Sequence, residues 1–153
     1  MSVKFKKGNA VSALIDGEVN VLLHVCNNKC SMGSGIALEI RNRIPDAWTA
    51  YQNCIQELGA CSFGWAYENK NTVKGMVVNM IAQDGYGRGK RYLNYGALAE
   101  CLMKVAKLSE TLRIGLPYKM GADRAGGDWE IVLELVQYIL KDFDVTVYEL
   151  EGV

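Results

Sequence analysis

The sequence predicts an α/β domain of three layers, α/β/α, built on a central mixed, mostly parallel sheet. Three observations predict it. Strand-length apolar runs alternate along the chain with segments whose apolar residues recur at helical spacing, the pattern of successive βα units. Residues 19–26 (Val-Asn-Val-Leu-Leu-His-Val-Cys) are almost continuously apolar, as a parallel strand covered on both faces requires. Two further apolar runs are separated only by Glu68-Asn69-Lys70-Asn71-Thr72, a polar hairpin turn that places one antiparallel pair inside the otherwise parallel order.

The elements follow in order. Residues 2–7 alternate as a short first strand with Val3 and Phe5 on one face. Gly8-Asn9 punctuates, and residues 10–15 suit a short helix closed by Asp16-Gly17. The strand at 19–26 runs into Asn27-Asn28 and then Met32-Gly33-Ser34-Gly35. A helix is expected from Gly35 to Arg43, with Ile36, Ile40 and Ile44 on one stripe and Leu38 off it. Pro45 suits the first position of the next helix, read as 45–58 with Gly59 as its stop. Strands are expected at 61–67 and 73–82, a helix at 94–108, a short strand at 112–116, an amphipathic helix at 128–143 and a last strand at 144–150. Two glycine-rich loops, 83–91 and 117–127, each precede a helix.

The chain of 153 residues is long enough for one well-buried core and is read as a single domain over 1–153. Lys plus Arg equals Asp plus Glu at 17 each, so no basic footprint for a nucleic-acid backbone is expected. No apolar run reaches the roughly 20 residues of a membrane span, and the start, Met-Ser-Val-Lys-Phe-Lys-Lys-Gly, lacks the apolar core of a signal peptide. Five cysteines at irregular spacing point to reduced thiols and a cytoplasmic setting.

Several motifs are excluded. Gly33-Ser34-Gly35 is no dinucleotide fingerprint, because the third glycine would fall at Leu38. No Gly-Lys-Ser or Gly-Lys-Thr follows a glycine loop, and one histidine with Cys26 and Cys30 makes no zinc site, so neither metal nor cofactor is expected. What survives is glycine-rich turns after apolar strands, each opening a helix. There the unpaired N–H groups and roughly half a positive charge suit a phosphate. Asn27, Asn28 and Gln83 lie nearby in sequence order.

These pieces resemble the macrodomain family. The matching segments are Lys7-Gly8-Asn9, His24-Val25-Cys26-Asn27, Met32-Gly33-Ser34-Gly35-Ile36-Ala37, Asn79-Met80-Ile81-Ala82-Gln83 with Gly85-Tyr86-Gly87, Tyr95 with Leu98, and Gly126-Gly127-Asp128-Trp129. They span nearly the whole chain, and their order and spacing carry the likeness. Within the family it looks most like the small stand-alone branch of ADP-ribose-1''-phosphate phosphatases and terminal ADP-ribose hydrolases. The resemblance implies an ADP-ribose cleft. Asn9 would meet the adenine and Asn27 the distal ribose. Met32, Gly33, Ser34, Gly35, Ile36 and Ala37 would hold one phosphate. Met120, Gly121, Ala122, Arg124, Ala125 and Gly126 would wrap the diphosphate and distal ribose, with Gln83 close by.

Two departures bear on the chemistry. Asn9 stands where the family usually carries an aspartate. The lysine that the deglutamylating branch uses after the fourth strand is absent, that strand ending Ala82-Gln83, and Ala125 falls at the place of its partner aspartate. The remaining route is a water activated by a carboxylate. Asp123 is the first candidate, with loop solvation beside Arg124 as its plain alternative. Asp128 is the second, with helix capping as its alternative. His24 could position a phosphate or hydroxyl or be a strand residue bonded internally. Tyr148 and Trp129 read as packing. The expected activity is hydrolysis of ADP-ribose-1''-phosphate. Acyl- or protein-linked ADP-ribose is the second substrate class, and a non-catalytic ADP-ribose reader is the rival. The partners expected are ADP-ribose, its 1''-substituted forms and ADP-ribosylated protein, with no nucleic acid and no membrane.

Overall fold

The computed structural model describes residues 3–109 and 111–151. Strand β2 (Val21–Asn27) lies at the centre of a six-stranded sheet, flanked by β5 (Arg113–Pro117) on one side and β4 (Thr72–Gln83) on the other. β6 (Asp144–Glu149) and then β1 (Lys4–Lys7) continue past β5, and β3 (Cys61–Asn69) closes the far edge beyond β4. Every neighbouring pair is parallel except β3 and β4, the pair joined by the polar hairpin.

The continuous apolar runs are explained by two cores, one on each face. In β2, Val21 and Leu23 join the core that contains α4 (Tyr95–Ala106) and α5 (Trp129–Ile139), while Leu22 joins the core under α1 (Ala10–Ile15), α2 (Gly35–Arg43) and α3 (Pro45–Gln52). β4 divides the same way, Val78 and Met80 to one face and Val77 to the other. Successive side chains of a strand point to opposite faces, so a strand sandwiched between helix layers must be apolar at both parities. The result is the expected α/β/α sandwich with a mixed, mostly parallel sheet.

The Ile36, Ile40 and Ile44 stripe packs as expected: Ile40 and Ile44 are buried, Ile36 lies against the same core, and Leu38 is exposed. Helix ends differ more. α3 stops at Gln52, six residues before the expected end, because the Gln56 side chain turns back to donate to the Tyr51 carbonyl at 3.0 Å and to the Cys54 carbonyl at 3.3 Å. α4 and α5 begin one residue later than expected, at Tyr95 and Trp129, because Asn94 and Asp128 cap them from outside. β1 is a short exposed edge strand whose Phe5 faces solvent; Ser2, part of the expected strand, lies outside the described residues.

The sheet order positions the site. The loops after β5, β2 and β4 leave three adjacent strands at the same end. β2 pairs with β5 only through Val21 and Leu22, so beyond Leu22 the two strands part and a crevice opens between their carboxyl ends. Ligands of open parallel sheets bind at such a crevice.

Candidate functional site

A cleft of about 640 Å³ fills that crevice. Its floor is the end of β2 (Val25, Cys26, Asn27), one wall is the start of α2, and the other is loop 118–127 with Tyr86, Gly87 and Arg88 above. α2 begins without a side-chain cap, unlike α1, α4 and α5, which are capped by Asn9, Asn94 and Asp128. Its first internal bond runs from the Leu38 N–H to the Ser34 carbonyl, so the N–H groups of Gly35, Ile36 and Ala37 find no acceptor among the described residues. All three residues line the cleft. Across from them, the N–H groups of Lys119, Gly121, Asp123, Arg124 and Ala125 are likewise without an acceptor among the described residues, and these five also line the cleft. Ile36, Ala37, Gly121 and Ala125 are half-buried or buried, where an amide without a partner is costly, so the two sets around one cavity suit a multiply charged anion.

Glycines make the second wall possible. Gly126 has φ +74, and a Cβ on it would sit 2.5 Å from the Lys90 carbonyl oxygen. A Cβ on Gly127 would fall 2.4 Å from Leu93 Cδ2 and 2.5 Å from the Gly121 carbonyl oxygen. Without Cβ atoms there, loop 118–127 closes on loop 84–94, and the Ala125 carbonyl accepts from the N–H groups of Tyr92 (2.8 Å) and Leu93 (3.0 Å). Asn28 ties the same region to β2: it donates to Asp84 Oδ1 at 3.1 Å and accepts from the Gly85 N–H at 2.8 Å.

The charge in the cleft is unbalanced. Among the described residues, Arg88, Lys119 and Arg124 line it against one carboxylate, Asp123. The ion pairs found among the described residues use none of these four side chains.

No family model matches the chain, and no curated protein matches it. Among solved structures, a protein of unknown function from Bacteroides thetaiotaomicron is 28% identical, with a TM-score of 0.82 and coverage of 97% of this chain and 98% of its own. A macrodomain protein from Streptomyces coelicolor is 27% identical, with a TM-score of 0.71 over 95% of this chain and 97% of its own. The chain has the macrodomain fold. Thermosipho africanus DarTG, solved in complex with ADP-ribose, shares that fold at 16% identity and a TM-score of 0.74, over 97% of this chain and 42% of its own.

Of the residues expected in a macrodomain site, Asn27, Gly33, Ser34, Gly35, Ile36, Ala37, Gln83, Met120, Gly121, Asp123, Arg124 and Ala125 line the one cleft. Asn27 is also heavily used in folding its own loop: its Nδ2 donates to the Ser31 carbonyl at 3.0 Å and its Oδ1 accepts from the Lys29 N–H at 2.9 Å. Asp123 is exposed, and its carboxylate has no hydrogen bond or ion pair among the described residues.

Others are placed elsewhere. Asn9 does not line the cleft; its Oδ1 accepts from the Ser12 N–H at 2.9 Å and its Nδ2 donates to Glu39 at 2.9 Å, so both ends are spent on capping α1 and tying it to α2. Met32 is buried in a small core with Cys26, Tyr51 and Ile81. Ala122 and Gly126 lie outside the lining, Gly126 being packed on loop 84–94. Asp128 caps α5, accepting from the Glu130 N–H at 2.9 Å, and also lies outside it, so capping is the role the structure gives it. His24 borders the cleft but is completely buried, and its Nε2 meets Asn79 Oδ1 at 2.6 Å. Burial lowers its pKa from 6.5 to about 4 against a smaller opposing effect of the Asn79 bond, so the ring is held neutral. Tyr148 is a buried core aromatic, and Trp129 packs edge-on against Tyr118 at 5.4 Å between ring centroids.

The sequence reading missed four side chains. Tyr51, in α3, donates from its hydroxyl to the Asn27 carbonyl at 2.6 Å and accepts from the Ser31 N–H at 3.2 Å, holding the turn before α2; burial pushes its phenol pKa up. Nothing local marks it, since the partner turn is 20 or more residues away. Tyr86, Arg88 and Lys119 sit inside glycine-rich loops, and the glycines were the signal that could have flagged them. Among the described residues no cluster of His, Cys, Asp and Glu is suited to hold a metal ion, and no helix is long and apolar enough to cross a membrane.

Proposed function

We propose that this macrodomain binds ADP-ribose in the cleft and hydrolyses a group from its distal ribose, with ADP-ribose-1''-phosphate as the first substrate. Acyl- or protein-linked ADP-ribose is the second substrate class. The observation that carries the reading is the pair of unpaired amide sets, Gly35, Ile36 and Ala37 on one side and Lys119, Gly121, Asp123, Arg124 and Ala125 on the other, around one cavity. They supply what a diphosphate needs, fixed N–H dipoles that need no reorganisation when the anion arrives. The ADP-ribose complex of the Thermosipho neighbour supports the choice of anion.

In this reading Asp123 is the general base. Its free carboxylate on the cleft wall takes a proton from a water, and the water oxygen bonds the phosphorus of the 1'' ester. The P–O bond to the ribose breaks, the proton accepted by Asp123 passes to the ribose oxygen, and ADP-ribose and inorganic phosphate leave.

The test is calorimetric titration with ADP-ribose, followed by phosphate release from the 1''-phosphate. Asp123→Asn should lower turnover by about 10²-fold or more while leaving the ADP-ribose Kd within about threefold. Absence of ADP-ribose binding at millimolar concentration overturns the site. Unchanged turnover in the variant overturns the base, and binding without turnover in the parent protein establishes a reader instead of an enzyme.

A further inference from the structure

We propose that Cys61 is a site of oxidation by peroxides and Cys101 its resolving thiol, the two closing into a disulfide between β3 and α4. Both are free cysteines and neither lines the cleft, so this chemistry is independent of the ligand bound there. Cys61 opens β3, and its side chain packs on the face of the sheet that α4 covers, against the core to which Cys101 belongs. The two residues cross at close range. Cys61 Sγ lies 3.9 Å from the Cys101 carbonyl oxygen, and Cys101 Sγ lies 3.6 Å from the carbonyl oxygen of Ala60, the neighbour of Cys61. The Cys101 thiol donates to the Cys61 sulfur.

Position and charge give the two thiols different roles. Cys61 is half-buried and Cys101 completely buried, so a small oxidant reaches the first and not the second. The hydrogen bond from Cys101 lowers the Cys61 pKa against the effect of burial; the Lys104 ammonium lowers it further, and the Glu100 carboxylate opposes. The same hydrogen bond, and then burial, push the Cys101 thiol up. Lys104 is fixed at this corner by donating to the Gly59 carbonyl at 2.7 Å. Cys54 is close in space but faces away. Its thiol turns to Ser62, on the opposite face of β3 from Cys61, and it packs against the small core of Cys26, Met32, Tyr51 and Ile81. Burial raises the pKa of Cys54, and also that of the buried Cys26.

A hydroperoxide is the oxidant. The Cys61 thiolate attacks one peroxide oxygen, the S–O bond forms, the O–O bond breaks, and the departing hydroxide takes a proton from solvent and leaves as water. Cys61 is then a sulfenic acid. The Cys101 sulfur bonds to the Cys61 sulfur, the S–O bond breaks, and the Cys101 thiol proton leaves with the hydroxyl as a second water. Two thiols are oxidised to one disulfide as one peroxide is reduced to two waters. The bridge ties positions 40 apart in the chain and fastens the edge strand to the helix packed beside it.

Hydrogen peroxide is the probe. The reduced chain is treated at about pH 7, quenched with catalase, unfolded, alkylated and peptide-mapped by mass spectrometry. A bridged Cys61–Cys101 peptide pair is expected, reversed by dithiothreitol. It should form about fivefold or more faster than the exposed Cys30 is oxidised, because thiolate character and not exposure alone sets the rate. In Cys101→Ala, Cys61 should stop at the sulfenic acid and be trapped by dimedone, and in Cys61→Ser, Cys101 should stay reduced and be alkylated after unfolding. Cys61 and Cys101 both recovered as free thiols, a Cys61–Cys54 bridge, or oxidation of Cys30 ahead of Cys61 in the unmutated chain overturns the proposal. So does oxidation of Cys101 in Cys61→Ser, or the absence of a dimedone adduct at Cys61 in Cys101→Ala.

Discussion

Between pH 7 and pH 4 the protein should lose about 3 kcal/mol of stability through His24 alone. The ring is completely buried, held by Asn79 Oδ1 at 2.6 Å, and its pKa lies at about 4 against an ordinary 6.5. A lowered folded-state value means that the unfolded chain takes the proton first. The stability is therefore intact above about pH 6.5, falls as pH drops, and levels below the folded value of about 4. At about 1.36 kcal/mol for each pH unit of that interval, the loss is about 3 kcal/mol. That is a large share of the roughly 5–15 kcal/mol that holds a domain of this size together. The contacting groups do not blur the signal: Asn79 does not titrate, and burial drives the Cys26 thiol, 3.5 Å from the ring, upward and away from this range. The assay is urea unfolding at intervals from pH 7.5 to 4, compared with His24→Leu so that carboxylate effects cancel. At pH 7.5 the variant should be less stable by about 1–3 kcal/mol, because Asn79 Oδ1 loses its partner, and the gap should narrow or invert by about 3 kcal/mol at pH 4. A difference that does not change with pH refutes the reasoning.

Ser34→Asp should have opposite effects on stability and binding: a carboxylate at the uncapped start of α2 should add about 0.5–1 kcal/mol in thermal unfolding and weaken ADP-ribose more than tenfold in calorimetry by occupying the amides the diphosphate needs. Gly127→Ala should cost about 1–3 kcal/mol and lower affinity as well, since its Cβ would fall 2.5 Å from the Gly121 carbonyl oxygen, and backbone there cannot yield without moving the wall. Asn28→Ala should cost under about 1.5 kcal/mol, yet hydrogen exchange should show lost protection at the Gly85 amide, whose acceptor it removes.

Much of the site could be read along the chain because its parts are local. Gly33-Ser34-Gly35 ahead of an Ile-striped helix specifies a helix N-terminus, and no other residue pair need be known to say so. The same holds for the glycines of loop 118–127. The roles of polar side chains were harder to read. Asn9 looks equally fit for a ligand or a cap until Glu39, thirty positions away, is seen to hold its amide. Asp123 and Asp128 are both acidic residues near glycines; only one is at the end of a helix whose N–H groups claim it.

Hydrophobic periodicity and turn chemistry, which depend on near neighbours in the chain, determined the element order, the two-faced apolar strands and the glycine turns. The order β5-β2-β4, the parting of β2 from β5 after two paired residues, and the gathering of Arg88, Lys119 and Arg124 around one cavity were decided by the tertiary structure. Strand neighbours and side-chain partners are chosen by long-range packing, and a local pattern carries no record of which distant loop will stand across the cleft.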